Sequence, residues 1–116
     1  MLKIQVGDQI LTAVLEDNTS VQALKEMLAE GPVTVQMEDY ANMEKVGSLG
    51  RNLPRNDAQT TTQAGELILY LGNSFVIYYD TNSWNFTRLG RIENVTGEEL
   101  LEILGPGDVT VILSME

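Results

Sequence analysis

Strand-like segments greatly outnumber helical ones in this 116-residue chain, and that imbalance is the strongest constraint on its fold. A doubly wound parallel sheet is excluded, because it needs a crossover helix between most of its strands. The pattern favours a mainly β fold, a closed barrel of about seven or eight antiparallel or mixed strands, with two short helices packed at its ends. Apolar alternation or wholly apolar runs predict the strands at 2–6, 9–16, 33–38, 66–71, 75–80, 86–92 and 108–114.

Three of these strands carry apolar residues on both faces, which is typical of strands in the interior of a protein. In the segment 9–16, Ile10 and Val14 lie on the face opposite Leu11 and Leu15. The segments 66–71 and 75–80, joined by a turn, have the same character. We expect all three strands to be interior.

Two helices are predicted, at about 20–29 and from Thr96 to about 104. Each is preceded by the S/T-x-x-E/Q pattern of a capping box, formed by Thr19 with Gln22 and by Thr96 with Glu99.

A long irregular segment, roughly 39–63, separates the third and fourth predicted strands. Loops of this length in compact domains are usually functional or disordered. Two interpretations remain open for its central part, the loop 43–57. This loop forms the rim of a binding groove faced by its cations Lys45, Arg51 and Arg55, or it only caps one end of the barrel through Leu49, Leu53 and Pro54.

Composition excludes several classes of chemistry. The chain contains no cysteine and no histidine, so Ser-His-Asp, Cys-His and zinc-hydrolase sites cannot form. Its net charge of −10 argues against nucleic acid or anionic membranes as partners, because phosphate binding needs clustered Lys and Arg. We expect no catalytic residues, no metal and no cofactor.

The chain is expected to be a single domain, 1–116, since its length is close to the commonest domain size. No run approaches the ~20 apolar residues of a membrane span. The N-terminal segment passes directly into a strand pattern without the features of a signal peptide. A cytoplasmic location is therefore predicted.

A few aromatic and cationic residues are candidates for ligand binding. Tyr70 lies in a predicted strand, and Trp84 and Phe86 flank a polar loop. Such aromatics either cap the core or form a binding platform. Arg88 either pairs with an acid or anchors a ligand's carbonyl or carboxylate group. Together with the loop cations, the candidate ligand-binding residues are Arg51, Arg55, Tyr70, Trp84, Phe86 and Arg88.

Several segments resemble, in the same order, those of a bacterial cyclophilin-like family. They are NMEKVGSLGRNLP (42–54), QAGELILYLGNSFVIYY (63–79), FTRLGRI (86–92) and LGPGDVTVILSME (104–116). The resemblance implies a cyclophilin-like closed barrel with two helices. Cyclophilins themselves are peptidyl-prolyl isomerases that use an arginine in an F-H-R sequence. This chain has no such sequence, and Val46 and Gly50 replace the family's usual aromatic and first proline.

Three functions follow as hypotheses. The leading one is a non-catalytic cyclophilin-like module that binds a peptide segment or a small ligand in a groove on the barrel. A weak prolyl isomerase is the first alternative, because rotation about an X-Pro bond needs neither a nucleophile nor a base. The second is a structural or interaction subunit without a ligand site. The oligomeric state is expected to be a monomer or a weak dimer.

Overall fold

A closed barrel of eight antiparallel strands forms the body of the molecule, which the computed structural model describes over residues 1–115. This confirms the predicted mainly β barrel with two helices. The elements in chain order are β1 (Leu2–Val6), β2 (Gln9–Leu15), α1 (Thr19–Ala29), β3 (Val33–Tyr40), β4 (Glu44–Ser48), β5 (Ala58–Thr61), β6 (Glu66–Tyr70), β7 (Ser74–Tyr78), β8 (Ser83–Ile92), α2 (Gly97–Leu104) and β9 (Val109–Met115).

The barrel closes where β8 meets β2. Its strands follow the order β2-β1-β9-β3-β4-β7-β6-β8, and three residue pairs then join β8 back to β2. One of these pairs is Leu15 with Gly90. A ninth strand, β5, lies outside the closed ring and pairs with the first part of β8. The long strand β8 therefore belongs to both the barrel seam and a short outer ribbon.

Inward-facing residues of the strands form the main core, and both helices add to it. Val21 and Leu24 of α1 and Leu100 and Leu104 of α2 are buried in that cluster. Burial of a side chain of this size is worth about 1.5–3 kcal/mol, so the helices are held mainly by packing. Within residues 1–115, neither helix has the length and apolar character needed to cross a membrane.

The prediction that β2 is interior on both faces is wrong. Leu11 and Ala13 are buried in the core, but Ile10 is 58% exposed and Val14 48% exposed. The reason is the barrel geometry, in which each strand has one face inside and one outside. No other element covers the outer face of β2 at these two positions.

The prediction of irregular structure from 39 to 63 is also wrong in part. Strand β3 continues to Tyr40, and β4 and β5 lie within the segment, so that 49–57 is the one long irregular stretch, beside the turn 41–43 and residues 62–63. The alternation of β4 is hard to recognise because a lysine, Lys45, occupies an inward position. Gly47 follows, at a point where a Cβ atom would lie 2.3 Å from the carbonyl oxygen of Gln36.

The irregular segment 49–57 packs across one end of the barrel. Leu49 and Leu53 are buried in the main core, as the second interpretation of this loop expects. The carbonyl of Pro54 accepts a hydrogen bond from the Ser20 hydroxyl of α1. Asn56 donates through Nδ2 to Ser20 Oγ at 2.8 Å. These contacts connect the segment to α1 and to the core.

The two helix starts differ in how they are capped. The capping box of Thr96 and Glu99 is present as predicted, with hydrogen bonds in both directions. At α1, however, the cap is Asn18 and not Thr19, which corrects the sequence prediction. Asn18 Oδ1 accepts from the backbone N–H of Val21 at 2.8 Å, and its Nδ2 donates to the carbonyl of Arg88 at 3.0 Å. Asn18 can connect α1 to β8 in this way because its amide both accepts and donates.

Replacing Asn18 by alanine is therefore expected to lower the free energy of unfolding by about 1–2 kcal/mol, because both the cap and the link to β8 are lost. Urea unfolding followed by circular dichroism measures this. Thr19→Ala is the matched control and should change stability by less than about 0.5 kcal/mol, as is usual for exposed positions. If Thr19→Ala loses as much stability as Asn18→Ala or more, Thr19 and not Asn18 is the cap of α1.

Candidate functional site

The outer faces of four neighbouring strands form a groove with an apolar floor. In β6, β7 and β8, alternate residues point away from the main core and form a second, separate buried cluster. Its members are Ile68, Val76, Tyr78 and Phe86. This second cluster explains why β6 and β7 are apolar on both faces: one face fills the barrel and the other packs into this cluster, whose members Tyr78 and Phe86 also line the groove. The prediction that these two strands are interior is confirmed.

Aromatic and apolar side chains line the walls of this groove, which has a volume of about 500 Å³. Tyr40 and Trp84 are each 60% exposed and Leu71 is 55% exposed, while Tyr70 and Met43 are half-buried. The rings of Tyr70 and Phe86 meet edge to face with centroids 6.2 Å apart. We call this site the aromatic groove. Its lining residues are Tyr40, Met43, Glu44, Val46, Tyr70, Leu71, Ser74, Tyr78, Asn82, Trp84 and Phe86.

The aromatic groove contains one ionisable acid, Glu44, which lies opposite Tyr78 in the β4–β7 pairing. Glu44 is only 7% exposed, and burial raises the pKa of its carboxyl above the ordinary value of 4.5. Proximity to Asp39 acts in the same direction, while a hydrogen bond from Tyr78 opposes it. Asn82 Nδ2 donates to the Tyr78 hydroxyl at 3.2 Å, and burial raises the pKa of that phenol above its ordinary 10.0.

Three of the six residues predicted to bind a ligand come together in this groove: Tyr70, Trp84 and Phe86. Trp84 belongs to β8 rather than to the polar loop before it, since the strand begins at Ser83 and not at 86. Strand alternation therefore puts Trp84 and Phe86 on the same face. The ligand-binding role of these residues stays a prediction.

Arg88 lies outside the aromatic groove, although it follows Phe86 by two residues on β8. Its Nε is 3.3 Å from Glu66 Oε2, and its Nη1 is 3.9 Å from Glu16 Oε1. These residues line a separate polar cleft along the β2–β8 seam. Burial raises the pKa of Glu66, while the positive charges of Arg88 and Arg91 oppose that shift. Pairing with an acid, one of the two alternatives for Arg88, is therefore observed.

The three cations of the segment 43–57 do not face the groove. Lys45 is fully buried on the other face of β4, where Nζ donates to the carbonyl of Gly107 at 2.6 Å and pairs with Asp39 at 3.1 Å. Arg51 is exposed, and its Nη1 lies 3.6 Å from Glu30 Oε2. Arg55 pairs with Asp57. The segment contributes to the groove through its first residues, Met43, Glu44 and Val46, instead of its cations.

Several groove residues escape sequence reasoning. Glu44 and Tyr40 lie in a region that shows no clear strand pattern, and Tyr78 belongs to a run in which every residue is apolar or aromatic. In β4 the residues on the groove side of the strand, Glu44, Val46 and Ser48, alternate with Lys45 and Gly47, and neither set is apolar enough to mark a strand. Among residues 1–115, no three acidic side chains converge in a way that would hold a metal ion.

The fold agrees with that of a solved structure and with a family model. The solution structure of the hypothetical protein AF2241 from Archaeoglobus fulgidus superimposes with a TM-score of 0.66, over 99% of this chain and 93% of that one. Their sequence identity is 14%, so this likeness shows a shared barrel fold and nothing more. The model of the cyclophilin-like family matches residues 4–114. The chain therefore belongs to the cyclophilin-like family, as its motifs predict. No curated protein matches the sequence.

Proposed function

We propose that the protein is a non-catalytic cyclophilin-like binding module and that its ligand occupies the aromatic groove. The observation that carries this proposal is a concentration of exposed apolar surface. Three of the seven exposed large apolar side chains in residues 1–115, Tyr40, Leu71 and Trp84, line this one groove. Contiguous apolar patches on small proteins commonly mark interaction sites, and exposed aromatics dominate binding hot spots.

The construction of the floor supports the same proposal. Tyr78 and Phe86, which line the groove, lie on strands that are paired on both sides. A site built on rigid strands loses little conformational entropy when a ligand binds. The volume of about 500 Å³ falls within the usual range of small-molecule and peptide side-chain sites, about 300–1,000 Å³.

The position of the arginines favours binding over prolyl isomerisation. Arg88 pairs with Glu66 and Glu16 outside the groove, so it is not directed at a ligand on the groove floor. A protease-coupled assay on Ala-Pro peptides distinguishes the two functions. If micromolar protein accelerates the cis-trans isomerisation of these peptides, the protein is an isomerase and not a non-catalytic binding module.

Trp84 makes the proposal directly measurable, because it is the only tryptophan in the sequence. We expect members of a peptide and metabolite library to change Trp84 fluorescence and to shift backbone NMR signals around Tyr70 and Phe86. Tyr40→Ala should weaken such binding about tenfold, as for a hot-spot residue. Leu101→Ala, at an exposed apolar position on α2, is the matched control and should have no effect.

Two results would contradict the proposal. One is a library in which no compound perturbs the groove signals. The other is a stable dimer in sizing experiments whose interface protects Trp84 and Tyr40, which would identify a structural subunit instead.

A further inference from the structure

The aromatic groove carries a negative charge that nothing in the fold neutralises. Glu44 is nine-tenths buried, yet within residues 1–115 no lysine or arginine lies within ion-pair distance of its carboxylate. The groove lining contains no cation either. The hydrogen bond from Tyr78 stabilises this carboxylate but does not balance its charge, and a buried charge without an opposite charge costs free energy.

The nearest lysine is directed elsewhere. Lys45 follows Glu44 in β4, but strand alternation places its side chain on the opposite face, where its ammonium group contacts Gly107 and Asp39. The fold therefore neutralises Asp39 and leaves Glu44 without a cation. Glu44 itself lies between Tyr40 and Tyr78 of the neighbouring strands and lines the groove.

The surroundings of Glu44 suit an incoming cation. Five aromatic residues line the same groove: Tyr40, Tyr70, Tyr78, Trp84 and Phe86. Aromatic rings attract ammonium and guanidinium groups, and this attraction grows when the site is shielded from water. A carboxylate beside the rings adds a charge-assisted hydrogen bond. The net charge of −10 further favours the approach of a basic ligand.

We propose that the aromatic groove binds the basic side chain, arginine or lysine, of an extended peptide, with the cation against Glu44 and its apolar stem along the rings. This inference rests on the proposed function and specifies its ligand. An open sheet edge beside the groove favours a peptide over a free small cation. Among residues 1–115, strand β5 pairs with β8 alone, with Thr60 opposite Trp84, and no strand occupies its other edge, where a peptide could add.

The test compares two peptides that differ only in charge, acetyl-Ala-Ala-Arg-Ala-Ala-amide and its citrulline counterpart, in titrations followed by Trp84 fluorescence and NMR. We expect the arginine peptide to bind about tenfold more tightly, the effect of one desolvated cation–aromatic and carboxylate contact. Glu44→Gln should abolish that preference. Glu102→Gln, an exposed acid on α2, should leave it unchanged.

The pH dependence provides a second readout. The titratable groups around Glu44 are Tyr40, Tyr70 and Tyr78 in the groove lining and, on the opposite face of the sheet, Asp39 and Tyr79. The pKa of Asp39 is lowered, chiefly by the hydrogen bond from Tyr79, while burial raises the pKa of both Tyr78 and Tyr79. Loss of arginine-peptide affinity between neutral pH and the ordinary glutamate value of 4.5 therefore reports protonation of Glu44. Glu44→Gln should remove this dependence.

The outcomes separate this inference from the proposed function. Equal binding of the arginine and citrulline peptides would overturn the cation site but leave a binding groove. An unchanged preference in Glu44→Gln would show that Glu44 is not the partner. If N-acetyl-arginine amide binds as tightly as the pentapeptide, the ligand is a free small cation and not a peptide. If neither pentapeptide binds but library compounds still perturb the groove, only the cation inference fails.

Discussion

Replacing Lys45 by methionine is expected to lower the free energy of unfolding by about 3 kcal/mol or more. Methionine keeps much of the apolar stem of lysine, so the loss of stability reports mainly the removal of the charged group. Without the ammonium group, the Gly107 carbonyl loses its donor and Asp39 loses its cation. Breaking a buried pair by removing one partner leaves a desolvated charge, which is why the cost exceeds that of a surface ion pair. Urea unfolding followed by Trp84 fluorescence measures it.

Two variants control this experiment. Lys25→Met removes an exposed lysine from α1 and should change stability by less than about 0.5 kcal/mol. The double variant Lys45→Met/Asp39→Asn should recover part of the loss, because the uncompensated carboxylate is removed as well. A loss below about 1 kcal/mol for Lys45→Met, typical of an exposed pair, would contradict the role assigned to this lysine.

Replacing Gly90 by alanine is expected to open the barrel seam and to lower the free energy of unfolding by about 3 kcal/mol, at the upper end of overpacking effects. A Cβ atom at this position would lie 2.2 Å from the carbonyl oxygen of Val14 and 3.0 Å from the Cα of Leu15. Both atoms belong to the backbone of β2, so rotation of a side chain cannot relieve the clash. The seam comprises only three residue pairs, and it must therefore shift.

Amide hydrogen exchange should show that Gly90→Ala loosens the β2–β8 seam. The Glu16 amide, which donates to the Leu89 carbonyl at 2.8 Å, should exchange faster in Gly90→Ala than in the parent protein. The control is Gly97→Ala at the start of α2, where the added methyl would lie 3.2 Å from the Ala64 side chain and 3.6 Å from the Tyr79 carbonyl oxygen, an ordinary contact distance. Unchanged exchange at Glu16 together with unchanged stability would contradict a closed seam at Gly90.

Much of the barrel is predictable from residue patterns. The alternation of β1, β3 and β9 and the apolar runs of β6 and β7 specify strands, because side chains on a strand alternate between two faces. The Thr96 capping box specifies the start of α2. Prediction fails where a local rule is broken for a tertiary reason. In β4 an inward lysine and a glycine conceal the strand, and at α1 Asn18 is a better cap than Thr19 because it also bonds β8.

The candidate site was only half predictable. Tyr70, Trp84 and Phe86 are candidates for ligand binding by residue type alone, and all three line the aromatic groove. The cations Arg51, Arg55 and Arg88 attract attention for the same reason, but each is paired with an acid outside it. Arg55 pairs locally with Asp57, but the acids that pair with Arg51 and Arg88 come from distant segments, so sequence spacing does not show them.

Local patterns and composition are enough to assign the mainly β class and the two helices and to exclude histidine and cysteine chemistry. The folded arrangement is needed to see that Lys45 is internal, that Glu44 lies opposite Tyr78 and that Trp84 shares a face with Phe86. These facts depend on register between strands far apart in the chain. A shift of one residue would exchange Glu44 and Lys45 between the groove and the opposite face of β4.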